Sequence, residues 1–156
     1  MKGFFASLAT VAAAALTVAA ETHTISFNNK CGHGTPTLVQ GGNILSKGGD
    51  YTANCPFASA IAYLQTGSCG LNGEGCSMVE LSLINSQTST ADVTLIPPHT
   101  FSVTTGFQFY GVCPGVGADC TSANCCPDNA FCTPTDYTAQ RYCNEDNVNL
   151  SITFCD

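Results

Sequence analysis

The sequence has few basic residues. Four lysines and arginines stand against eleven aspartates and glutamates, which gives a formal net charge of −7 at pH 7. Nucleic acids and anionic membranes are themselves negatively charged, so neither is an expected partner of this chain. Neutral polymers such as polysaccharides remain compatible with this charge balance.

The sequence also lacks a long apolar run beyond its first twenty residues. Lys2 is followed by an apolar, alanine-rich stretch over residues 4–19, and the small residues at 18–20 suit a signal peptidase. We therefore predict a signal peptide over residues 1–20 and one mature domain over residues 21–156, beginning at Glu21. Because no later run is long enough to span a membrane, the mature protein is expected to be secreted.

Patterns typical of metal, nucleotide and nucleophile sites are missing as well. His23, His33 and His99 have no zinc-type spacing, and the glycine-rich residues 67–75 lack the strand-to-helix setting of a phosphate loop. No Ser/His/Asp arrangement has a suitable context, so neither a metal nor a cofactor is expected. One alternative stays open. Cleavage after Thr22 would make His23 the N-terminus, and its amine and ring could then chelate copper with a second histidine.

Cysteine, by contrast, is abundant. Eleven cysteines in a secreted chain of this length are typical of a disulfide scaffold. Cys125-Cys126 with Cys132 is a poor match to zinc-ligand spacing. Because eleven is odd, five bridges would leave one free thiol. The sequence alone does not determine which cysteines pair.

Short alternating strands separated by turn residues account for most of the remaining sequence. No amphipathic pattern is longer than two helical turns, and residues 113–143 are predicted to be loop with a single helical turn around 136–142. The predicted strands cover residues 24–27, 37–40, 51–53, 60–64, 79–83, 92–95, 101–104, 107–110 and 148–154. This pattern predicts an all-β domain, either an antiparallel sandwich or a barrel.

Two neighbouring predicted strands carry acidic residues on their polar faces. Glu80 alternates with apolar residues in 79–83, and Asp92 does so in 92–95. If these strands form a hairpin, registers with an even residue sum place both carboxylates on one face. Their Cβ atoms would then lie about 5 Å apart if directly opposite, or about 7–8 Å apart diagonally. Both separations suit the carboxylate pair of a glycoside hydrolase. The plainer interpretation is that both side chains point to water on a half-exposed sheet.

Several segments carry a family resemblance when they are taken in order. They are Thr24–Cys31, Gly41–Thr52, Thr66–Gly70 followed by Cys76, Val79–Leu83, Asp92–Ile96, Cys125-Cys126 with Cys132, Tyr137, and Ile152–Cys155. In this order they resemble a thaumatin-like protein, and especially its short secreted fungal relatives. The resemblance covers most of residues 24–155. It implies a disulfide-rich antiparallel β-sandwich with a cysteine-rich loop region.

The same resemblance implies disulfide pairs and leaves Cys55 as the free thiol. The implied pairs are Cys31–Cys155, Cys69–Cys76, Cys113–Cys143, Cys120–Cys125 and Cys126–Cys132.

The resemblance also implies site residues. The family's acidic cleft carries one arginine, one glutamate and three aspartates. Glu80 matches the glutamate, Asp92 matches the first aspartate, and Asp146 stands near the last. The second aspartate position falls near Pro97, and the segment that carries the arginine is missing. This departure puts catalysis by the family's cleft in doubt and leaves an acidic glycan-binding surface.

The predicted function is that of a secreted monomer that recognises cell-wall glycan, with β-glucan as the first candidate and with weak or no hydrolysis. Glu80, Asp92 and Asp146 are the predicted binding residues. The enzymatic alternative is an endo-β-1,3-glucanase in which Glu80 and Asp92 are catalytic. A third alternative is a non-catalytic role towards an extracellular protein, as an inhibitor, toxin or effector.

Two further features bear on glycans. Asn149-Leu150-Ser151 is the sequence's one N-x-S/T sequon, which makes Asn149 a candidate for glycosylation. Aromatic side chains stack on sugar rings where they are exposed, although core packing is their more frequent role. The candidates for stacking are Tyr51, Tyr63, Tyr110 and Tyr137.

Overall fold

The computed structural model of the chain describes residues 20–156, so the predicted signal peptide lies outside the described residues except for Ala20. The described part consists of short strands and one 3₁₀ helix at Tyr137–Ala139. The strands are β1 (His23–Asn29), β2 (Thr35–Gln40), β3 (Asn43–Lys47), β4 (Tyr51–Ala53), β5 (Phe57–Gln65), β6 (Met78–Leu83), β7 (Ser89–Thr94), β8 (Thr105–Tyr110), β9 (Gly117–Cys120), β10 (Arg141–Cys143) and β11 (Asn149–Phe154). Over the same residues, no helix has the length and hydropathy needed to cross a membrane.

The strands form two sheets. One has five strands in the order β4-β1-β11-β8-β9, and the other has six in the order β10-β7-β6-β5-β2-β3. Neighbouring strands are antiparallel except for β1 and β11, which pair in parallel with Ile25 opposite Leu150. Because the first and last strands are neighbours inside the five-stranded sheet, that sheet is complete only when both ends of the domain are in place.

The hydrophobic core lies between the two sheets. In β11 the apolar residues Leu150, Ile152 and Phe154 are fully buried, whereas Ser151 and Thr153 between them are half-buried. The apolar residues of β5, β6 and β7 supply the opposite side of the same core. This alternation is what two sheets packed face to face require. The fold is therefore an all-β sandwich, one of the two architectures that the strand pattern predicts, although the β1–β11 pair is parallel and not antiparallel as expected.

Five disulfides hold the sandwich together. They join Cys31 to Cys155, Cys69 to Cys76, Cys113 to Cys143, Cys120 to Cys125 and Cys126 to Cys132. These are the pairs that the resemblance implies. Cys55, in the loop between β4 and β5, is unpaired and exposed. Bridges at this density are typical of proteins from oxidising compartments.

Alkylation of the folded protein is expected to label one cysteine, Cys55. The other ten cysteines are in disulfides, and a disulfide sulfur does not react with an alkylating reagent. Mass spectrometry of the denatured, unreduced protein after iodoacetamide treatment counts the labels, and peptide mapping locates them. Labelling should disappear in Cys55→Ser. Three or more labelled cysteines would contradict this disulfide framework.

One predicted strand is wrong. Residues 101–104 do not join a sheet, because the side chain of Ser77 satisfies their backbone instead. The Ser102 N–H donates to Ser77 Oγ (2.9 Å), and Ser77 Oγ donates to the Val103 carbonyl (3.1 Å). The chain enters the sheet only at Thr105, where β8 begins.

The predicted loop over residues 113–143, here called the cysteine-rich segment, contains two strands that the sequence pattern missed. β9 has four residues and β10 has three, which is too short for alternation to be recognised. The predicted helical turn is present as the 3₁₀ helix at Tyr137–Ala139.

The cysteine-rich segment is fixed against β7. The Phe131 N–H donates to the Val93 carbonyl (2.8 Å), and the Leu95 N–H donates to the Phe131 carbonyl (2.7 Å). Arg141 joins distant parts of the cysteine-rich segment, including β9, to one another. Its guanidinium donates to the carbonyl oxygens of Gly117, Thr138, Gln140 and Asp128. This packing places residues 131–140 beside the outer face of β7.

Candidate functional site

The outer face of the six-stranded sheet carries the acidic pair that the sequence predicts. Glu80 on β6 lies directly opposite Asp92 on β7, and Ile61 on β5 lies directly opposite Glu80 on its other side. Directly opposed residues on adjacent strands have Cβ atoms about 5 Å apart. The next residues on each strand, Leu81 and Ala91, are buried in the core. The hairpin therefore has one of the registers that place both carboxylates on one face, with the two residues directly opposite, and both project from the outer face.

The two carboxylates differ in burial. Glu80 is exposed, whereas Asp92 is only 6 % exposed. Asp92 Oδ1 is buried and has no hydrogen-bond partner among the residues that the structure describes. Leaving a buried acceptor without a donor costs about 1–3 kcal/mol, and more when the acceptor is charged. The interpretation that both side chains simply face water therefore fails for Asp92.

Burial and, to a smaller extent, the negative charge of Glu80 together raise the pKa of Asp92 to about 7. The pKa of Glu80 is also raised, chiefly by burial, and the nearby His99 partly opposes this rise. Glu80 is exposed by surface area, but the walls around it remove part of its hydration. The pair therefore gives up its second proton only near neutral pH, because a second negative charge at this position is unfavourable.

His99 stands beside the pair, although the sequence offers no signal for it. It follows Pro97-Pro98, its backbone N–H donates to the Ile96 carbonyl (2.9 Å), and its ring Nδ1 lies 3.0 Å from the Gly73 carbonyl oxygen. A carbonyl oxygen only accepts hydrogen bonds, so Nδ1 carries the proton in this contact. A cavity of about 220 Å³ is lined by both Glu80 and His99. His99 is therefore a site residue that only the fold reveals.

Four adjoining cavities cover this face, and together they are called the sheet groove. Their volumes are about 320, 220, 250 and 350 Å³. Glu80 lines three of them, Asp92 lines two, and Ile61 and His99 each line two. The groove extends from the β2–β3 turn to the cysteine-rich segment. From β2 to β7 it crosses three strand spacings of about 4.8 Å, or roughly 14 Å, before it meets the cysteine-rich segment.

The walls of the sheet groove are partly apolar and aromatic. Tyr137 lines the cavity next to Asp92, is 66 % exposed, and packs edge-on against Phe131 with ring centroids 6.1 Å apart. Of the four tyrosines considered for stacking, it alone is exposed. Tyr63 is buried and donates its hydroxyl to the Leu71 carbonyl (2.9 Å), so it is a core residue and not a stacking platform.

Two other predicted residues lie away from the sheet groove. The carboxylate of Asp146 accepts a hydrogen bond from the Ser86 N–H (2.6 Å) at the tip of the β6–β7 hairpin, and Asp146 lines none of the four cavities. The structure thus does not bring Asp146 to the acidic pair. Asn149 is half-buried at the start of β11, where its Oδ1 accepts the Thr24 N–H (2.7 Å). Its side-chain nitrogen, the atom that would carry a glycan, is not used in that bond.

The copper alternative does not fit the position of His23. Its ring is fully buried, with Nδ1 2.8 Å from the Val148 carbonyl oxygen and Nε2 3.0 Å from a carboxylate oxygen of Glu21. Cleavage after Thr22 would remove Glu21, and a copper chelate of the new N-terminal amine and Nδ1 would then also break the contact with Val148. Within residues 20–156, no group of three or more His, Cys, Asp or Glu side chains is arranged to hold a metal ion.

A further cleft of about 380 Å³ lies on the outer face of the five-stranded sheet, and it is larger than any of the four cavities. It contains Asp119 and Asp156, with Lys30 paired to Asp156 at 2.9 Å. Burial and the charge of Asp156 raise the pKa of Asp119, while Lys30 opposes that rise. The cleft has neither an exposed aromatic ring nor an orphaned buried carboxylate. We therefore place the candidate site in the sheet groove despite its smaller cavities.

Comparisons with known proteins do not indicate a function for the sheet groove. No protein-family model matches the sequence, and no curated protein matches it.

Proposed function

We propose that the chain is a small thaumatin-like protein that is secreted and recognises cell-wall glycan in the sheet groove, with β-glucan as the first candidate. The observation that carries the proposal is the acidic pair in a long open groove, with Asp92 buried and lacking a donor. Sugar hydroxyls are the donors that a glycan brings to this carboxylate, and Tyr137 offers an exposed ring at the same end of the groove. The disulfide pairs and the order of the segments support the family proposal.

Hydrolysis is the second candidate, and one observation favours it. Asp92 has a pKa of about 7, which suits a general acid, and Glu80 lies directly opposite it on the neighbouring strand, as a carboxylate pair in a glycosidase requires. A glycosidase needs environments that push the two pKa values apart. Here burial raises both of them, so the arrangement favours binding with little or no turnover.

Glu80→Gln and Asp92→Asn are expected to weaken retention on insoluble β-glucan modestly. Each change replaces an acceptor for a sugar hydroxyl by an amide. The loss should be about 1–2 kcal/mol, or roughly five- to thirtyfold in Kd. A pull-down titration measures it, and Asp50→Asn is the matched control because Asp50 is exposed and lies outside the groove.

The same three variants and the parent should be assayed for release of reducing sugar from laminarin. We expect negligible turnover in all four proteins. Parent turnover that vanishes in Glu80→Gln would establish the hydrolase in place of the binding protein. Unchanged glucan retention in both groove variants would remove the sheet groove from the site.

A further inference from the structure

The sheet groove has an unbalanced charge. Glu80 and Asp92 line it, Glu74 lies close enough to interact with His99, and no lysine or arginine of the described chain lines any of its four cavities. His99 is the one basic side chain there, and it stands on the Glu80 side, where it lines no cavity together with Asp92. The protein thus offers Asp92 no cation.

Asp92 is also the group for which a charged donor matters most. It is more than nine-tenths buried, its Oδ1 has no donor among the described residues, and it lines two cavities that Gln140 also lines. A neutral hydroxyl can donate to that oxygen, but it does nothing to offset the repulsion between Asp92 and Glu80 when both carboxylates are ionised. An ammonium group supplies up to three donors and also neutralises one of the charges.

We propose that the sheet groove selects glycans that carry free amino groups, such as polymers of 2-amino-2-deoxyglucose, and that it holds a ligand ammonium between Asp92 and Glu80. This inference rests on the proposed glycan-binding function and specifies its ligand class. A sugar polymer fits better than a lysine-rich peptide because the groove is long and shallow, and because its exposed ring, Tyr137, suits a pyranose face.

Proton release should accompany binding. Near pH 6 the buried Asp92 is largely protonated, since its pKa is about 7. An ammonium placed against it favours the carboxylate form, so the proton leaves Asp92 for the buffer when the amine binds. The groups that face Asp92 and the bound ammonium come from three elements. They are Glu80 on β6, His99 beyond it, and the uncharged side chains Gln140 and Tyr137 of the cysteine-rich segment.

The test is isothermal titration calorimetry at pH 6 with three hexasaccharides, namely the β-1,4-linked glucosamine hexamer, its fully N-acetylated counterpart and laminarihexaose. We expect the glucosamine hexamer to bind about ten- to a hundredfold more tightly than the N-acetylated hexamer, the effect of one charge-assisted hydrogen bond. Its affinity should fall as salt rises from about 0.02 to 0.3 M. Titrations in buffers of different ionisation enthalpy should detect the released proton.

Asp92→Asn and Glu80→Gln should each remove most of the preference for the amine, and Asp50→Asn should retain it. Glu80 is exposed, so its variant tests the site even if Asp92→Asn alters the packing. Equal binding of the glucosamine and N-acetylated hexamers overturns the inference, as does an amine preference that survives both groove variants. Hexalysine that binds as tightly as the glucosamine hexamer, with the same dependence on Asp92, overturns the glycan as ligand.

Retention on insoluble β-glucan separates this inference from the function on which it rests. If β-glucan is retained and laminarihexaose binds without any preference for amines, only the inference fails. If none of the glycans binds, both fail. Tight binding of the glucosamine hexamer alone supports the inference and identifies the ligand class of the site.

Discussion

Replacing Cys31 and Cys155 together by serine is expected to lower the free energy of unfolding by about 4–5 kcal/mol. The bridge spans a sequence separation of 124 residues and ties β1 to the end of β11. Breaking it allows the unfolded chain many more conformations, and the entropy gained grows with the length of the loop. Both cysteines are half-buried, so the serines leave little cavity and the loss comes mainly from the unfolded chain.

The double variant Cys126→Ser with Cys132→Ser is the matched control. Its two cysteines are also half-buried, but their separation is only 6 residues. The same chain-entropy account gives it a loss of about 2–3 kcal/mol. Guanidinium unfolding of the parent and of both double variants, with the remaining bridges intact, measures the difference. Equal losses in the two double variants would contradict the dominant role of the Cys31–Cys155 bridge.

The free energy of unfolding of Asp92→Asn, minus that of the parent, is expected to increase by about 4 kcal/mol between pH 4 and pH 8. Folding raises the pKa of Asp92 from its usual 3.8 to about 7, a difference worth about 4 kcal/mol. Because the folded state holds this proton more tightly, the contribution to stability is complete below pH 3.8. It is lost as the pH rises through about 7. Asparagine does not titrate, so the variant lacks this loss.

Guanidinium unfolding of the parent and of Asp92→Asn at several pH values measures this effect. Taking the difference between the two proteins at each pH cancels the groups that titrate in the opposite sense, such as Asp136, whose pKa is lowered by hydrogen bonds from Thr133 and Cys132. Asp50→Asn serves as the control, because Asp50 is exposed and lies outside the sheet groove. A flat difference for Asp92→Asn would mean that Asp92 is not buried as described.

Much of the fold could be predicted from the sequence because strand alternation is local. Val79–Leu83 shows which side chains face the core without reference to any other strand, and the same holds for the last strand up to Phe154. Alternation also placed Glu80 and Asp92 on one face once a hairpin was assumed. The prediction failed at residues 101–104, because a distant serine, Ser77, satisfies that backbone.

The disulfide pairs illustrate a different limit. Eleven cysteines can form at most five bridges, but many different sets of five pairs satisfy that limit. Only the resemblance suggested the pairs, and only the pairing of β1 with β11 shows why Cys31 lies beside Cys155.

The sequence by itself determined the all-β architecture, the disulfide-rich character and the polar faces that carry Glu80 and Asp92, because these depend on local pattern and composition. The pairing of β6 with β7 then set the two residues directly opposite each other. Tertiary structure alone decided the chemistry of the site. Asp92 is buried because the cysteine-rich segment packs beside β7, through the contacts of Phe131 with Val93 and Leu95. His99 reaches Glu80 because its ring bonds to Gly73 in a loop more than twenty residues away, and Asp146 is drawn to the hairpin tip instead. Burial, charge proximity and pKa arise from side chains distant in sequence, so no local pattern contains them.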